Sequence, residues 1–170
     1  SELIQALLIL DSGDIDFVNM NGSWAGAMGQ CQFMPSSYQR YAIDYNQDGR
    51  RDIWSTKEDI FASIANYLHV LGWKDDQTWG REVTLPLNFD FDSTGLETIK
   101  PINVWQEIGI RRVDGRNLPT RSLDASIILP DGINGRAFMV YNNFRTLLKW
   151  NRSIYFALSV GILADDMIGR

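Results

Sequence analysis

The oxygen-bearing residues of "DYNQDGRRDIWS", residues 44 to 55, have the types and spacing of a divalent-cation loop. Asp44, Asn46 and Asp48 occupy positions 1, 3 and 5 of an EF-hand pattern, and Gly49 stands at position 6, where the chain must turn sharply. Such a loop presents the hard oxygen donors that calcium prefers. Position 12, which normally supplies a bidentate Glu, is Ser55. Three readings are open at this point. The stretch is a metal site, an Asx-rich turn with Ser55 and Glu58 as a capping box for the next helix, or a variant loop closed by a later carboxylate. Glu58, in the first turn of the following helix, is within reach. Arg50, at position 7, would give only its backbone carbonyl. Asp52, at position 9, reads as a water-bridged ligand or a solvated group.

Thiol chemistry is a weaker candidate. Cys31 is the one cysteine and His69 the one histidine, so neither an internal disulfide nor a Cys/His zinc pattern is available. A nucleophilic Cys31 would need a base beside it. His69 falls on an apolar helix face and reads as a packed core or rim histidine, and Cys31 as a small hydrophobe.

Helices must position these residues. Leu3, Ile4, Leu7, Leu8 and Leu10 have the spacing of a buried helix, ended by "DSGD". "NGSWAGAMGQCQFMP" is Gly-rich and irregular, a stretch that backbone or ligand can approach closely. Pro35 opens a short helix over residues 35–43. The clearest helix spans residues 55–71, with Ile60, Phe61, Ile64, Leu68 and Leu71 on one face and Gly72 as its stop. The Asx loop is thus flanked by helices. "REVTLPLNFDF" alternates like a strand, "PINVWQEIG" suits a short helix, and "ASIILPDGINGRAFMVY" a hairpin. Helix returns in "NNFRTLLKWN" and "SIYFALSVGILADDM". The expected fold class is α+β, a mainly helical core with a small strand-containing insert. The expected division is residues 1–72 (loop 44–58 included), an insert over 73–137, and C-terminal helices over 138–170 that complete the core.

Length and composition suit one soluble globular domain: 170 residues, 45% hydrophobic and 22% charged. The net charge of -5 and the absence of a basic run argue against a nucleic-acid partner. No apolar run reaches the roughly 18 residues of a membrane span. An apolar helix begins at once, with no leader, which reads as a fragment or a processed chain.

"GSWAGAMGQCQFMPSSYQRYAIDYNQDGRRDIWSTKEDIFASIANYLHVLGW" closely resembles the core of the family B lytic murein transglycosylases, and the resemblance continues in "GRAFMVYNNFRTLLKWNRSIYFALSVGILAD". The two blocks cover about half the chain. The resemblance implies a lysozyme-like helical fold with an EF-hand-like calcium loop whose last carboxylate follows position 12. By that resemblance Asp44, Asn46, Asp48 and Glu58 supply side chains and Arg50 a carbonyl to a structural Ca2+. It implies non-hydrolytic cleavage of the MurNAc–GlcNAc β-1,4 bond of peptidoglycan, with 1,6-anhydro ends and a single Glu as acid and then base. Ordinary glycosidases use two carboxylates.

The matching segment for that Glu falls upstream of Ser1, and the neighbours of Glu2 do not match it. The expectation is that the acid lies outside residues 1–170 and that this chain alone is inactive. A Glu-[Ser/Thr]-x-aromatic-Gly segment upstream would supply it. Implied partners are a peptidoglycan strand, the missing N-terminal fragment, and a membrane through a segment not present. The implied location is the periplasm or the periplasmic side of the outer membrane. Implied cleft residues are Ser23, Gln32 and Asn151, whose bland alternatives are a turn serine, a capping amide and a C-cap. A Tyr is common five residues after that Asn. Here Phe156 takes the position, with Tyr155 beside it. Met28, Phe33, Tyr141 and Trp150 are candidate sugar walls, although aromatics and Met are more often core. The rival readings are a hydrolytic muramidase and a non-catalytic, calcium-stabilised glycan-binding module.

Overall fold

The computed structural model describes residues 1–169, which group into two compact units divided between Leu71 and Gly72.

The first unit is three helices joined by structured loops: α1 (Glu2–Asp11), α2 (Pro35–Tyr41) and α3 (Lys57–Val70). Pro35 sits in the first turn of α2, where its missing N–H costs nothing. Glu2 reaches this terminus, and its carboxylate accepts from the Ser36 N–H at 2.9 Å and the Ser36 hydroxyl at 2.6 Å. A carboxylate on the free N–H groups of a helix start satisfies them and complements the dipole. The capping box is not formed. Thr56 is the N-cap of α3 and makes no side-chain cap bond. Asp52 organises the approach instead, accepting from the N–H groups of Trp54 and Ser55 and the hydroxyls of Ser55 and Thr56. Asp52 is therefore a turn staple and not a solvated group. Gly72, at φ +100°, follows α3 in the left-handed conformation that glycine adopts freely.

The core of this unit is aromatic. Phe33, Tyr41 and Tyr67 form one cluster, with Tyr41 edge-on to Tyr67 at 4.7 Å between centroids. Tyr38, Ile53 and Ile9 are fully buried beside Cys31 and Met28. Burial pushes the Cys31 thiol up to about 11, which makes it a packing group and a poor nucleophile. Three expectations fail here. Leu3, Ile4, Leu7 and Leu8 of α1 are 47–69% exposed, leaving Ile9 as its buried residue. Phe61 of α3 points to solvent, and so does His69. Periodicity identified the helices, but the apolar stripe of α1 has no cover among the described residues.

One ion pair ties the segment after α1 to the Asx loop. Asp14, 5% exposed, accepts from the Arg51 side chain at 2.7 Å, the Arg51 N–H at 2.8 Å and the Ser12 hydroxyl at 2.7 Å. Burial pushes the Asp14 carboxyl up. The hydrogen bonds from Arg51 and Ser12 outweigh it and hold the group below the usual carboxylate range. A depressed folded-state pKa adds stability that is present above the unfolded value, near 4, and lost as pH falls through the folded one. Asp14→Ala strands a partly buried Arg51 and is expected to cost about 2–4 kcal/mol at pH 7. The difference from the parent should shrink below about pH 4 in urea melts. A constant difference down to pH 2 would show that packing, not the ion pair, sets the cost.

The second unit is built on a five-stranded, wholly antiparallel sheet in the order β2-β4-β5-β1-β3: β1 (Gly80–Thr84), β2 (Lys100–Pro101), β3 (Arg111–Arg112), β4 (Asp124–Ile128) and β5 (Ala137–Val140). β4 and β5 form the hairpin expected around "DGING", paired Ser126 to Val140. On one face, Val83, Ile127, Met139 and Tyr141 pack with Phe89, Ile102 and Trp105 into the main core. Ile102 and Trp105 come from α4 (Ile102–Ile108), closed by Gly109 at φ +109°. Trp105 is fully buried, and its indole N–H donates to the Ala125 carbonyl at 2.9 Å, so no buried donor is wasted.

Trp79 packs against Phe138 of β5 and Phe144 of α5 (Asn142–Trp150). Gly161 of α6 (Ile154–Met167) lies flat on the Trp79 ring, where an added Cβ would fall 2.4 Å from it. Fully buried Asn143 bonds the backbone of Lys74 and Gln77. The strands fall within the expected insert apart from the last residues of β5, and the C-terminal helices group with the sheet through Trp79 and Asn143.

Candidate functional site

The Gly-rich stretch of the first unit folds back on itself by paired bridges, Gly22 with Met28 and Met28 with Phe33. Close backbone approach requires its glycines. A Cβ on Gly29 (φ +61°) would lie 2.6 Å from the Ile53 carbonyl oxygen. Ser23 turns the chain: its N–H donates to the Ala27 carbonyl and its hydroxyl accepts from the Ala27 N–H at 3.1 Å. The turn reading of Ser23 is therefore realised, yet the residue is exposed and faces a groove. That groove, about 430 Å³, is also lined by Glu2, Met28, Met34 and Pro35. Met28 is otherwise buried, and Phe33 is wholly core.

A second groove, about 710 Å³ and more polar, carries Gln32 together with Asp14, Asn19, Gln30, Asp52 and Trp54. Gly22 lines both. Gln32 has φ +50°, a left-handed conformation unusual for a non-glycine residue, and its amide donates to the Gly29 carbonyl at 3.0 Å. Backbone strain of this kind concentrates at functional positions. Two lining groups, Trp54 and Gln30, escaped the sequence reading. Trp54 is fixed by a 2.8 Å bond from its indole N–H to the Asn21 carbonyl, and Gln30 reaches the Trp54 carbonyl. Trp24 stands wholly in water. An aromatic inside a run of polar loop residues, as in "RRDIWS", was the available signal for Trp54.

Three carboxylates in these grooves, Glu2, Asp14 and Asp52, have the wrong electrostatics for a proton donor. Glu2 is held below its usual range by the Ser36 hydroxyl and N–H, and Asp14 as described above. Burial raises Asp52, but the bonds from Ser55, Trp54 and Thr56 outweigh it and leave it lowered. A general acid needs the opposite shift.

The Asx loop brings three of the expected ligands together. Asp44 accepts from the N–H groups of Asp48 and Gly49, Asn46 accepts from Asp48, and Asp48 accepts from the N–H of Arg50. Gly49 has φ +90° and Gln47 +61°, which curls the backbone around these oxygens. Asp59, fully buried, closes the loop by accepting from the N–H groups of Tyr45 and Asp52. Sequence reasoning missed Asp59, because it sits beside Glu58 and away from the pattern. Glu58 is exposed in the first turn of α3. Among the described residues no group of three or more His, Cys, Asp or Glu converges on one point. The donor set is all hard oxygen and fits calcium chemically.

The second unit holds the remaining candidates. Tyr141 is 1% exposed and belongs to the core, so its ring cannot be a sugar wall. Its hydroxyl accepts from Arg81 Nε at 3.0 Å. Asn151 is the C-cap of α5, and its side-chain oxygen accepts from the Ser153 N–H. Ser153 caps α6 through the Phe156 N–H. Tyr155 and Phe156 are exposed, and the Tyr155 hydroxyl bonds the Pro130 carbonyl and Asp131.

Comparison with known proteins gives these features a lineage. The chain is 32% identical over 171 residues to membrane-bound lytic murein transglycosylase B of Escherichia coli K12, covering 94% of this chain and 43% of that protein. Among solved structures, SltB3 of Pseudomonas aeruginosa in complex with NAG-anhNAM-pentapeptide superimposes with a TM-score of 0.96 at 48% identity, over 99% of this chain and 45% of that one. The Escherichia coli lytic transglycosylase Slt35 in complex with calcium matches with a TM-score of 0.76 at 30% identity, over 95% of this chain and 50% of that one. The chain therefore spans half or less of these relatives. With the transglycosylase SLT domain model matching residues 1–165 as well, this chain belongs to the transglycosylase SLT domain family.

Proposed function

We propose that these residues form part of a lytic murein transglycosylase that cleaves the MurNAc–GlcNAc β-1,4 bond of peptidoglycan without water. The observation that carries this reading is the fit, over 99% of the chain, to SltB3, whose bound ligand contains an anhydro sugar. In the proposed step, an acid protonates the glycosidic oxygen and the C1–O bond breaks. The same carboxylate, now a base, takes the proton of the muramic 6-hydroxyl as its oxygen bonds to C1. No water is consumed, and the carboxyl is restored. The lowered carboxylates Glu2, Asp14 and Asp52 favour an acid from outside residues 1–170. Products are the test. Murein digested by these residues together with the acid-bearing segment should yield anhydro ends, each one water lighter than a reducing end. Reducing ends would make the protein a muramidase.

The two grooves of the first unit are the proposed glycan contacts, Ser23 in one and Gln32 in the other. Polar groups fix a sugar's orientation, and the Trp54 and Met28 surfaces give apolar contact. Gln32 separates this role from a structural one. Glycine adopts φ +50° without strain, and this relief offsets its greater loss of chain entropy, so Gln32→Gly should leave the melting temperature nearly unchanged. Affinity for a chitooligosaccharide, measured by calorimetry, should fall about ten-fold for one lost hydrogen bond. Lower stability with unchanged binding would make Gln32 a structural amide.

The Asx loop is the proposed calcium site, with Asp44, Asn46, Asp48, the Arg50 carbonyl and Glu58 as donors. Slt35, a relative, is solved with calcium. The ion would stiffen the loop and take no part in bond cleavage. The proposed location is periplasmic, on the strength of the cell-wall substrate. No helix among the described residues is long and apolar enough to cross a membrane.

A further inference from the structure

The second unit contains a cavity of about 590 Å³ lined by two guanidinium groups, Arg81 and Arg112, that make no ion pair among the described residues. Arg112 of β3 pairs directly with Val83 of β1, and Arg81 lies two residues before Val83. Side chains two apart on a strand share a face, and so do directly paired residues, so both arginines stand on one face of the sheet. Both line the cavity.

Among the described residues neither arginine has a carboxylate partner. Arg81 uses Nε to hold the Tyr141 hydroxyl at 3.0 Å, with its guanidinium carbon 5.8 Å from that ring's centroid, and makes no ion pair. Arg112 Nε is buried and has no acceptor. Asp114 lies in the electrostatic range of Arg112 but is already bonded by Arg116. The neighbouring Arg111 is spent on the carbonyls of Gln106 and Ile110. Two like charges on one sheet face, one with a buried donor left unpaired, are costly unless an anion shares the site.

The other charges in the lining narrow the ligand. Three arginines and three aspartates face the cavity. Arg121 and Asp76 pair with each other at 3.1 Å, which leaves Arg81 and Arg112 against Asp75 and Asp165. Asp165 accepts the Trp79 indole N–H with one oxygen and has the other oxygen to spare. Asp75 is exposed and makes no bond among the described residues. A dianion would meet two carboxylates there. A group carrying both a carboxylate and an ammonium satisfies the cations and the anions at once.

We propose that this cavity binds a zwitterionic amino-acid group, its carboxylate forked by the Arg81 and Arg112 guanidiniums and its ammonium facing Asp165 and Asp75. Arginine is suited to the task because its planar donors match a carboxylate's two oxygens. The shared chemistry fits a free amino acid or an amino-acid end that carries both charges on a peptide. The inference does not rest on the cleavage reading.

The Trp79 indole N–H, bonded to Asp165 at 2.9 Å, is a built-in reporter. In two-dimensional NMR of the protein, with that resonance assigned by its loss in Trp79→Phe, alanine should shift it saturably. Acetate, lacking the ammonium, should bind about ten-fold more weakly, the worth of one charge-assisted pair. Inorganic phosphate should not saturate the site. A peptide with a zwitterionic side-chain end, such as an ε-linked lysine, should compete with alanine if the natural ligand is a peptide, and bind no better than acetate if it is a free amino acid. Arg112→Gln should abolish the alanine shift without lowering the melting temperature, since it removes an unpaired buried donor. Arg121→Gln should preserve the shift. No shift with alanine, an alanine shift retained in Arg112→Gln, or tighter binding of phosphate than of alanine would each overturn the proposal.

Discussion

Residues 1–170 alone should release no anhydro-sugar ends from murein, and adding a fragment that carries the upstream Glu segment should restore release. The expected effect is large, because a positioned general acid contributes about 10²–10⁴-fold. The reason lies in the first unit. A proton donor at neutral pH needs a carboxyl whose charged form is disfavoured. Glu2 caps a helix, Asp14 is clamped by Arg51, and Asp52 staples a turn, all lowered. Each is thus an ordinary structural carboxylate.

The exposed stripe of α1 makes the same case from packing. Leu3, Ile4, Leu7 and Leu8 stand in water, with Phe17, Val18 and Trp24 also exposed. Burying a side chain such as Leu is worth about 1.5–3 kcal/mol, so this face favours association. The relatives are about twice as long as this chain, and the proposed occupant of the face is the further chain they carry. Mixing should therefore give a defined complex by ultracentrifugation as well as activity. Glu→Gln in the added segment should remove the activity and keep the complex. Full turnover by residues 1–170 alone would require the acid to be sought among Glu2, Asp11, Asp14 and Asp16.

What the sequence made legible follows the physics of each signal. Caps and punctuation are local, so α2 at Pro35, α3 before Gly72 and the hairpin at "DGING" were readable. The exposure of α1 was not, because a 3.6-residue stripe says that a face is apolar and not what covers it. Sheet order was likewise hidden: β2 and β3 are two residues each and have no period to detect. In the site, the Asx residues follow a fixed spacing, and Asp44, Asn46 and Asp48 do share one hydrogen-bonded loop. Asp59 and the Arg51–Asp14 clamp were missed because they act across 7 to 37 residues through backbone N–H groups. For Tyr141 the core reading, weighed against a sugar wall, is the one the burial supports, because composition cannot tell a buried aromatic from an exposed one.

Calcium should raise the melting temperature of the protein, and Asp48→Ala should abolish the rise. The physical basis is mass action: an ion that binds only the folded loop adds about 2.7 kcal/mol at one hundred times its dissociation constant. In a domain of this size that corresponds to roughly 5–10 °C. Asp44, Asn46 and Asp48 already turn oxygens onto the loop's N–H groups, which holds them in place before any ion arrives. Buried Asp59 fixes both ends of the loop through Tyr45 and Asp52. Asp59→Asn should therefore lower stability with and without calcium, because it weakens the frame, whereas Asp48→Ala should cost little without calcium, losing only exposed loop bonds, and should abolish the calcium response. Glu58→Gln tests the late carboxylate. If Glu58 swings in from the first turn of α3, the variant should lose part of the calcium response and little else, since its side chain is exposed. Magnesium should do less, because it demands a smaller octahedral shell and keeps its waters. A parent chain whose melting temperature ignores added calcium, or a calcium response that survives Asp48→Ala, would leave the loop as an Asx turn built only from its own hydrogen bonds.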